Sequence, residues 1–79
     1  MFEYNICNQA DAVLFEKQCR ALERRIPYLE AEDLYEDVDG TKVQTYSHPD
    51  GTVVVKNDAQ VDALYVTADF DLIPYFKNN

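Results

Sequence analysis

The apolar residues of this chain keep a helical period only once, and a proline ends it. Ala12, Phe15, Cys19, Leu22 and Ile26 follow one another at spacings of 3, 4, 3 and 4, which places them on one stripe of a helix. Pro27 removes a backbone donor and restricts Ile26 before it, so the helix must stop there. The spacing predicts a helix over about 9–26. Asn8 reads as its N-cap, accepting from the backbone N–H of Asp11. The Asp11 carboxylate falls in the first turn, where the helix dipole favours it.

Everywhere else the period is 2. Phe2, Tyr4 and Ile6 alternate with Glu3 and Asn5, a short strand over 2–7. After Pro27, Leu34, Glu36 and Val38 alternate with Tyr35 and Asp37. Asp39-Gly40 then supplies the dipeptide of a type I′ hairpin turn, and Thr41 to Ser47 returns as a strand. His48-Pro49-Asp50-Gly51 reads as a type I turn, with proline second and glycine fourth. The three valines within Thr52 to Lys56 are a strand, which Asn57 and Asp58 break. Leu64, Val66, Ala68, Phe70 and Leu72 alternate with Tyr65, Thr67, Asp69 and Asp71, which favours one long strand over 64–72, with a turn of helix near 59–63. Ile73, Tyr75 and Phe76 close the core, and Lys77 to Asn79 are expected to fray.

The expectation is an α+β fold, one amphipathic helix packed across a four- or five-stranded, mostly antiparallel sheet in the order β-α-β-β-β-β. The helix covers one sheet face, and the other meets water or a partner. In element order alone this resembles the cystatin-like arrangement. That family's inhibitory loop motif is not legible here, and no family is assigned.

Size and composition narrow the function. At 79 residues the chain reads as a single domain, 1–79, and a domain this small buries only about 60% of its unfolded surface. It is therefore marginally stable, and a partner or a homodimer would help it persist. With 47% apolar residues it is too rich for a disordered tail, and no apolar run approaches the ~20 residues of a membrane span. The opening MFEYNICNQADA lacks the basic and apolar regions of a signal peptide, and the expected location is cytoplasmic. Cys7 and Cys19 are too few for a disulfide scaffold and, with His48, too few for a structural zinc site. They read as small hydrophobes in a reducing compartment.

Catalytic signatures are missing. Ser47 and His48 are sequence neighbours at a turn, the wrong geometry for a nucleophile and base that must converge. No glycine-rich phosphate loop occurs. Aligning Gly40 or Gly51 with the glycine of a calcium loop puts Tyr35 or Tyr46 where its first aspartate belongs. Neither an enzyme, a cofactor nor a metal is expected.

What remains is charge. The net charge is −8, yet residues 1–26 balance four acids against four bases (Lys17, Arg20, Arg24 and Arg25). All of the excess lies after Pro27. Glu30, Glu32, Asp33, Glu36, Asp37 and Asp39 fall within ten residues, with Tyr28 and Tyr35 among them. Such density repels itself and costs stability. One reading is a solvated loop and edge strand whose charge keeps strangers from pairing with the sheet. The other is a surface that steers towards a basic partner, with the tyrosines supplying contact area. Asp69 and Asp71, beside Tyr65 and Thr67, would extend the theme as a polar column on the uncovered sheet face. Lys17, Arg20 and Arg24 make a basic helix stripe, but the acidic half alongside opposes direct nucleic-acid binding; a solvated face or pairing with the acidic loop is expected.

The leading expectation is thus a small acidic inhibitor that occupies the basic, nucleic-acid-binding groove of another protein by charge mimicry. In size and charge it compares with phage-encoded DNA mimics, anti-CRISPR proteins, nuclease immunity proteins and antitoxins. Tyr28, Glu30, Glu32, Asp33, Tyr35, Glu36, Asp37 and Asp39 are the expected binding residues, followed by Tyr65, Asp69 and Asp71. The alternative is a structural or assembly subunit that forms a homodimer through sheet edges or the uncovered sheet face, with Val53 to Val55 or the 64–72 strand as the contact and the acids serving only solubility.

Overall fold

A computed structural model describes residues 1–76, and these form β1 (Phe2–Cys7), α1 (Ala12–Arg25), β2 (Glu30–Glu36), β3 (Lys42–His48), β4 (Gly51–Asp58), β5 (Ala63–Ala68) and α2 (Ile73–Phe76). Lys77 to Asn79, expected as a frayed end, lie outside the described residues. The sheet runs β1-β5-β4-β3-β2, with every neighbouring pair antiparallel. The last four strands form a meander, and β1 adds to it beside β5. β1 and β2 therefore hold opposite edges, and α1 lies over β4 between them. The α+β class and element order are as the periodicity predicts, and the sheet has five strands.

Cross-strand rows decide what each face carries. Tyr46, Val53 and Ala68 share one row under the helix. Gln44, Val55, Val66 and Tyr4 make the next, and Asn57, Leu64 and Cys7 the third. Phe15, Cys19 and Leu22 of α1 close on these rows with Ile26, just past its end, and Leu72. Ala12, at the first helical position, is exposed and does not join its stripe. The opposite face carries Tyr35, Val43, Lys56, Tyr65 and Asn5 in one row and Thr45, Val54, Thr67 and Glu3 in another. No described element covers it.

Two buried polar groups tie helix to sheet. The Tyr46 hydroxyl, in the core, donates to Glu23 Oε2 at 2.6 Å. Asn57 Oδ1 accepts from the Asp11 backbone N–H at 2.9 Å, and Asp62 Oδ1 accepts from Ala10 N at 2.8 Å. These bonds pin residues 10 and 11 to the sheet and shift the helix start. The N-cap is Asp11 and not Asn8. The Asp11 carboxylate accepts from Val13 N at 2.9 Å and Leu14 N at 3.1 Å, while Asn8 Oδ1 is taken by Asn5 Nδ2. At the other end Ile26 is extended, as a residue before proline must be.

Further expectations are corrected. Asn57 and Asp58 do not break β4 but end it as paired strand residues, opposite Leu64 and Ala63. Between β2 and β3, Gly40 N donates to Asp37 O and Asp37 N to Thr41 O, and Gly40 alone takes a positive φ there. The connection is a three-residue loop ending in a left-handed glycine, not a type I′ turn. β2 begins at Glu30, four residues before the expected alternation.

The long strand over 64–72 ends at Ala68. Asp69 N donates to Thr52 O, and Asp69 Oδ2 accepts from Thr52 N. Asp69 Cβ lies 2.7 Å from where a Cβ on Gly51 would stand, so only glycine admits this closure. Tyr4 completes the reversal, donating to Asp71 Oδ1 at 2.9 Å and accepting from Leu72 N at 2.7 Å. Asp71 then caps α2 through Ile73 N. The turn near 59–63 is an aspartate-closed turn, Asp58 Oδ1 accepting from Gln60 N and Val61 N.

Candidate functional site

β2 is an edge strand, and all seven of its residues are exposed. The helix sits over β4 and only borders this edge, where Leu34 shares a cleft with Glu16, Arg20 and Glu23 of α1, so the helix side of β2 is half open and its other face is uncovered. Its register places Glu30 opposite Ser47 and Tyr35 opposite Val43 on the uncovered face, with Ala31, Leu34 and Glu36 on the helix side. Between Ala31 and Leu34 the register slips. Glu32 and Asp33 together face the single residue Thr45, a β-bulge. Gln44 Nε2 donates to Glu32 O at 2.6 Å and so fixes the bulge.

A cleft opens at each end of the strand. At its start Tyr28, Glu30, Ser47, His48 and Pro49 line a cleft of about 380 Å³. Tyr28 follows Pro27 at φ 65, a left-handed conformation that costs a tyrosine roughly 1–2 kcal/mol, and the residue is 79% exposed. At the far end Tyr35, Asp37, Asp39, Val43, Lys56 and Asp58 surround a second cleft of about 170 Å³.

The electrostatics of the edge are one-sided. Among the described residues the ion pair is Lys56–Asp58 at 3.6 Å; His48 Nδ1 lies 4.0 Å from the Asp50 carboxylate. Among the described residues none of Glu30, Glu32, Asp33, Glu36, Asp37 or Asp39 forms an ion pair, although Lys42 stands opposite Glu36 in the ladder and Lys56 shares the second cleft with Asp37 and Asp39. The expected pairing of the basic helix stripe with the acidic segment does not form. Lys17, Arg20 and Arg24 stay on the solvent side of α1, and Arg25 turns to Phe76 O. Asp37 and Asp39 also serve the turn, accepting from Val38 N and Thr41 N. Those Thr41 bonds, from backbone first and then side chain, hold the Asp39 carboxyl below its ordinary value.

The structure thus gathers Tyr28, Glu30, Glu32, Asp33, Tyr35, Glu36, Asp37 and Asp39 on one edge and its two ends. Tyr65 joins Tyr35 in one row of the uncovered face, three strand spacings or about 14 Å away. Asp69 and Asp71 do not belong to this surface. They lie beyond the end of β5, one closing on Thr52 and the other capping α2, so the expected polar column stops at Thr67. Ser47, His48, Lys56 and Asp58 were not among the expected binding residues. The only sequence signal for them is their place beside the two turns.

The remaining reactive side chains are structurally occupied. The His48 ring stacks on Phe70 with centroids 4.6 Å apart, and its Nδ1 accepts from Asp50 N. Ser47 faces the other side of the strand, so the two do not converge. Cys7 and Cys19 are free thiols, and burial pushes the Cys19 thiol up and away from reactivity. No group of three or more His, Cys, Asp or Glu among the described residues is arranged to hold a metal ion, and no described helix is long and apolar enough to cross a membrane. No protein-family model, curated protein or solved structure matches this chain.

Proposed function

We propose that this chain is a small acidic inhibitor that docks the β2 edge and its flanking tyrosines into the basic, nucleic-acid-binding groove of another protein. The observation that carries the reading is that six carboxylates within ten residues lie on one exposed strand and turn with no ion pair among the described residues, while four of the bases stand apart on α1 and only Lys42 and Lys56 of the described ones lie nearby. Unpaired like charge at this density costs folding energy, and a basic partner would relieve it. Carboxylates on alternate strand residues, such as Glu30 and Glu32, stand roughly 6.6 Å apart, from twice the ~3.3 Å rise. That is the scale of successive phosphates along a nucleic-acid strand. Tyr28 and Tyr35 bracket the acids and offer the contact area that carboxylates lack. The role is binding, without catalysis, cofactor or metal. The two free thiols fit a cytoplasmic location.

The test is a pull-down from a bacterial lysate with this protein as bait, eluted in rising salt. One basic, nucleic-acid-handling protein should elute between low and moderate salt, and added DNA should compete it away. With that partner in hand, Glu36→Lys with Asp37→Lys should slow association and flatten its salt dependence. An unchanged association rate at low salt would remove this surface from the mechanism.

A second reading is favoured by the uncovered sheet face. Val43, Val54 and Tyr65 are only half-buried there, and a second copy could complete their burial. Val53 and Val55 take no part, because both point into the core. Sedimentation decides: a dimer that dissociates when Tyr65 is replaced by Lys supports this reading over the inhibitor.

A further inference from the structure

We infer that the free edge of β2 takes a basic, extended segment of its partner as a sixth strand. This rests on the acidic docking proposed above and names the form in which the partner is bound. β2 ends the sheet, so one row of its backbone N–H and C=O groups has no strand partner among the described residues. Such an edge is a template for strand addition, in which the backbone ladder gives affinity and alternate side chains give selectivity.

Charge selects the occupant. Glu30, Glu32, Asp33 and Glu36 occupy four of the seven positions of β2. A second copy of β2 would bring carboxylate against carboxylate, and like charges directly opposite one another destabilise a strand pair. A strand carrying Lys or Arg at alternate positions sets them beside Glu30 and the Glu32–Asp33 bulge on the uncovered face, where repulsion becomes attraction. The other edge makes the contrast: β1 carries Glu3 as its one charged residue, between exposed Phe2 and Ile6.

The two clefts stand where such a segment would begin and end. Each combines a tyrosine with carboxylate, Tyr28 with Glu30 at one end and Tyr35 with Asp37 and Asp39 at the other, where Lys56 is also present but is paired with Asp58. A guanidinium or ammonium group can meet a ring face and an acid together in either place. The bulge at Glu32 and Asp33 twists the edge and divides the ladder, which disfavours long flat pairing and suits a short segment of about eight residues.

The probe is a fluorescein-labelled octapeptide alternating Arg and Val, titrated against the full chain by anisotropy. Two controls carry the same charge but are N-methylated, one on every Arg and the other on every Val. Strand addition requires one of the two to lose at least tenfold in affinity, because only one set of peptide N–H groups faces β2. It also requires β2 amides to gain hydrogen-exchange protection, and Glu32→Lys with Asp33→Lys to weaken the parent peptide tenfold or more. If both methylated peptides bind as tightly as the parent, strand addition is wrong and charge docking alone remains. If protection appears on α1 or on the uncovered face in place of β2, the edge is not the site. A parent peptide that fails to bind at low salt overturns strand addition as well, while the pull-down independently judges the docking reading.

Discussion

At the scale of single residues, the bond from the Tyr46 hydroxyl to the Glu23 carboxylate is short, at 2.6 Å, and rooted in the core. Tyr46 has no exposed surface, so its phenol must find its partner inside the protein. Hydrogen bonds to charged groups contribute about 1.5–3 kcal/mol. Tyr46→Phe keeps the ring and removes only the donor, leaving a carboxylate that can still reach water. The expected loss is about 1–2 kcal/mol in a urea titration with an unchanged slope. A loss within error would mean that water replaces the bond at no cost. Asp39 gives a second residue-scale prediction. Its carboxyl is held below the ordinary 3.8 by the bonds from Thr41. The stabilisation is therefore present above the unfolded value and disappears as pH falls through the lower folded one. Compared at successive pH values, wild type and Asp39→Ala should differ in urea midpoint near neutrality and converge below about pH 4. A constant gap across that range would show that the turn, and not the charge, carries the effect.

At the scale of elements, the sharpest discrimination lies in the helix cap. Two residues, Asn8 and Asp11, could each begin the helix by side-chain chemistry alone, and the structure assigns the cap to Asp11. Losing an N-cap costs ~1 kcal/mol. Asp11→Ala should therefore lower stability by about that amount, and Asn8→Ala by a few tenths at most; the reverse order in thermal denaturation would return the cap to Asn8. The cause of the ambiguity is tertiary. Asn57 and Asp62, some fifty residues away in sequence, hold the backbone of residues 10 and 11, and no local pattern contains them. The interior of α1 was legible, since Phe15, Cys19 and Leu22 reach the core with Ile26 just past its end. The valines of β4 and the turn at Pro49-Asp50 were legible for the same reason, a strong local preference that packing does not oppose. β5 was not, because its alternation runs on through Phe70 and Leu72 while Asp69 and Tyr4 fold the chain back. Both of those devices are long-range bonds. The start of β2 was hidden by its own charge. A strand exposed on both faces carries no alternation, so EAED reads as loop until β3 pairs with it. The acids themselves were plain in the sequence, but their place on an unpaired edge was not.

At the scale of the whole molecule, the charge is divided so that the fold bears an avoidable cost. Four bases sit on α1 and six acids on β2 and its turn, and no ion pair joins the two sets. A chain selected only for stability would bring them together or thin the acids out. Self-repulsion at the β2 edge should therefore be measurable as a stability deficit that salt relieves, since exposed charges are largely screened beyond the ~10 Å Debye length of 0.1 M salt. Raising sodium chloride from 20 to 500 mM is expected to raise the melting temperature of the wild type by a few degrees, and Glu32→Lys with Asp33→Lys to remove much of that rise while starting from a higher value at low salt. The double variant should thus fold better and bind worse. That pairing separates the readings of the acidic edge, because acids that serve only to keep the sheet from pairing with strangers would lose solubility on reversal but cost no partner binding. If the variant is no more stable at low salt than the wild type, the carboxylates are already far enough apart to coexist without strain. The case for a partner that relieves them would then rest on the geometry of the open edge alone.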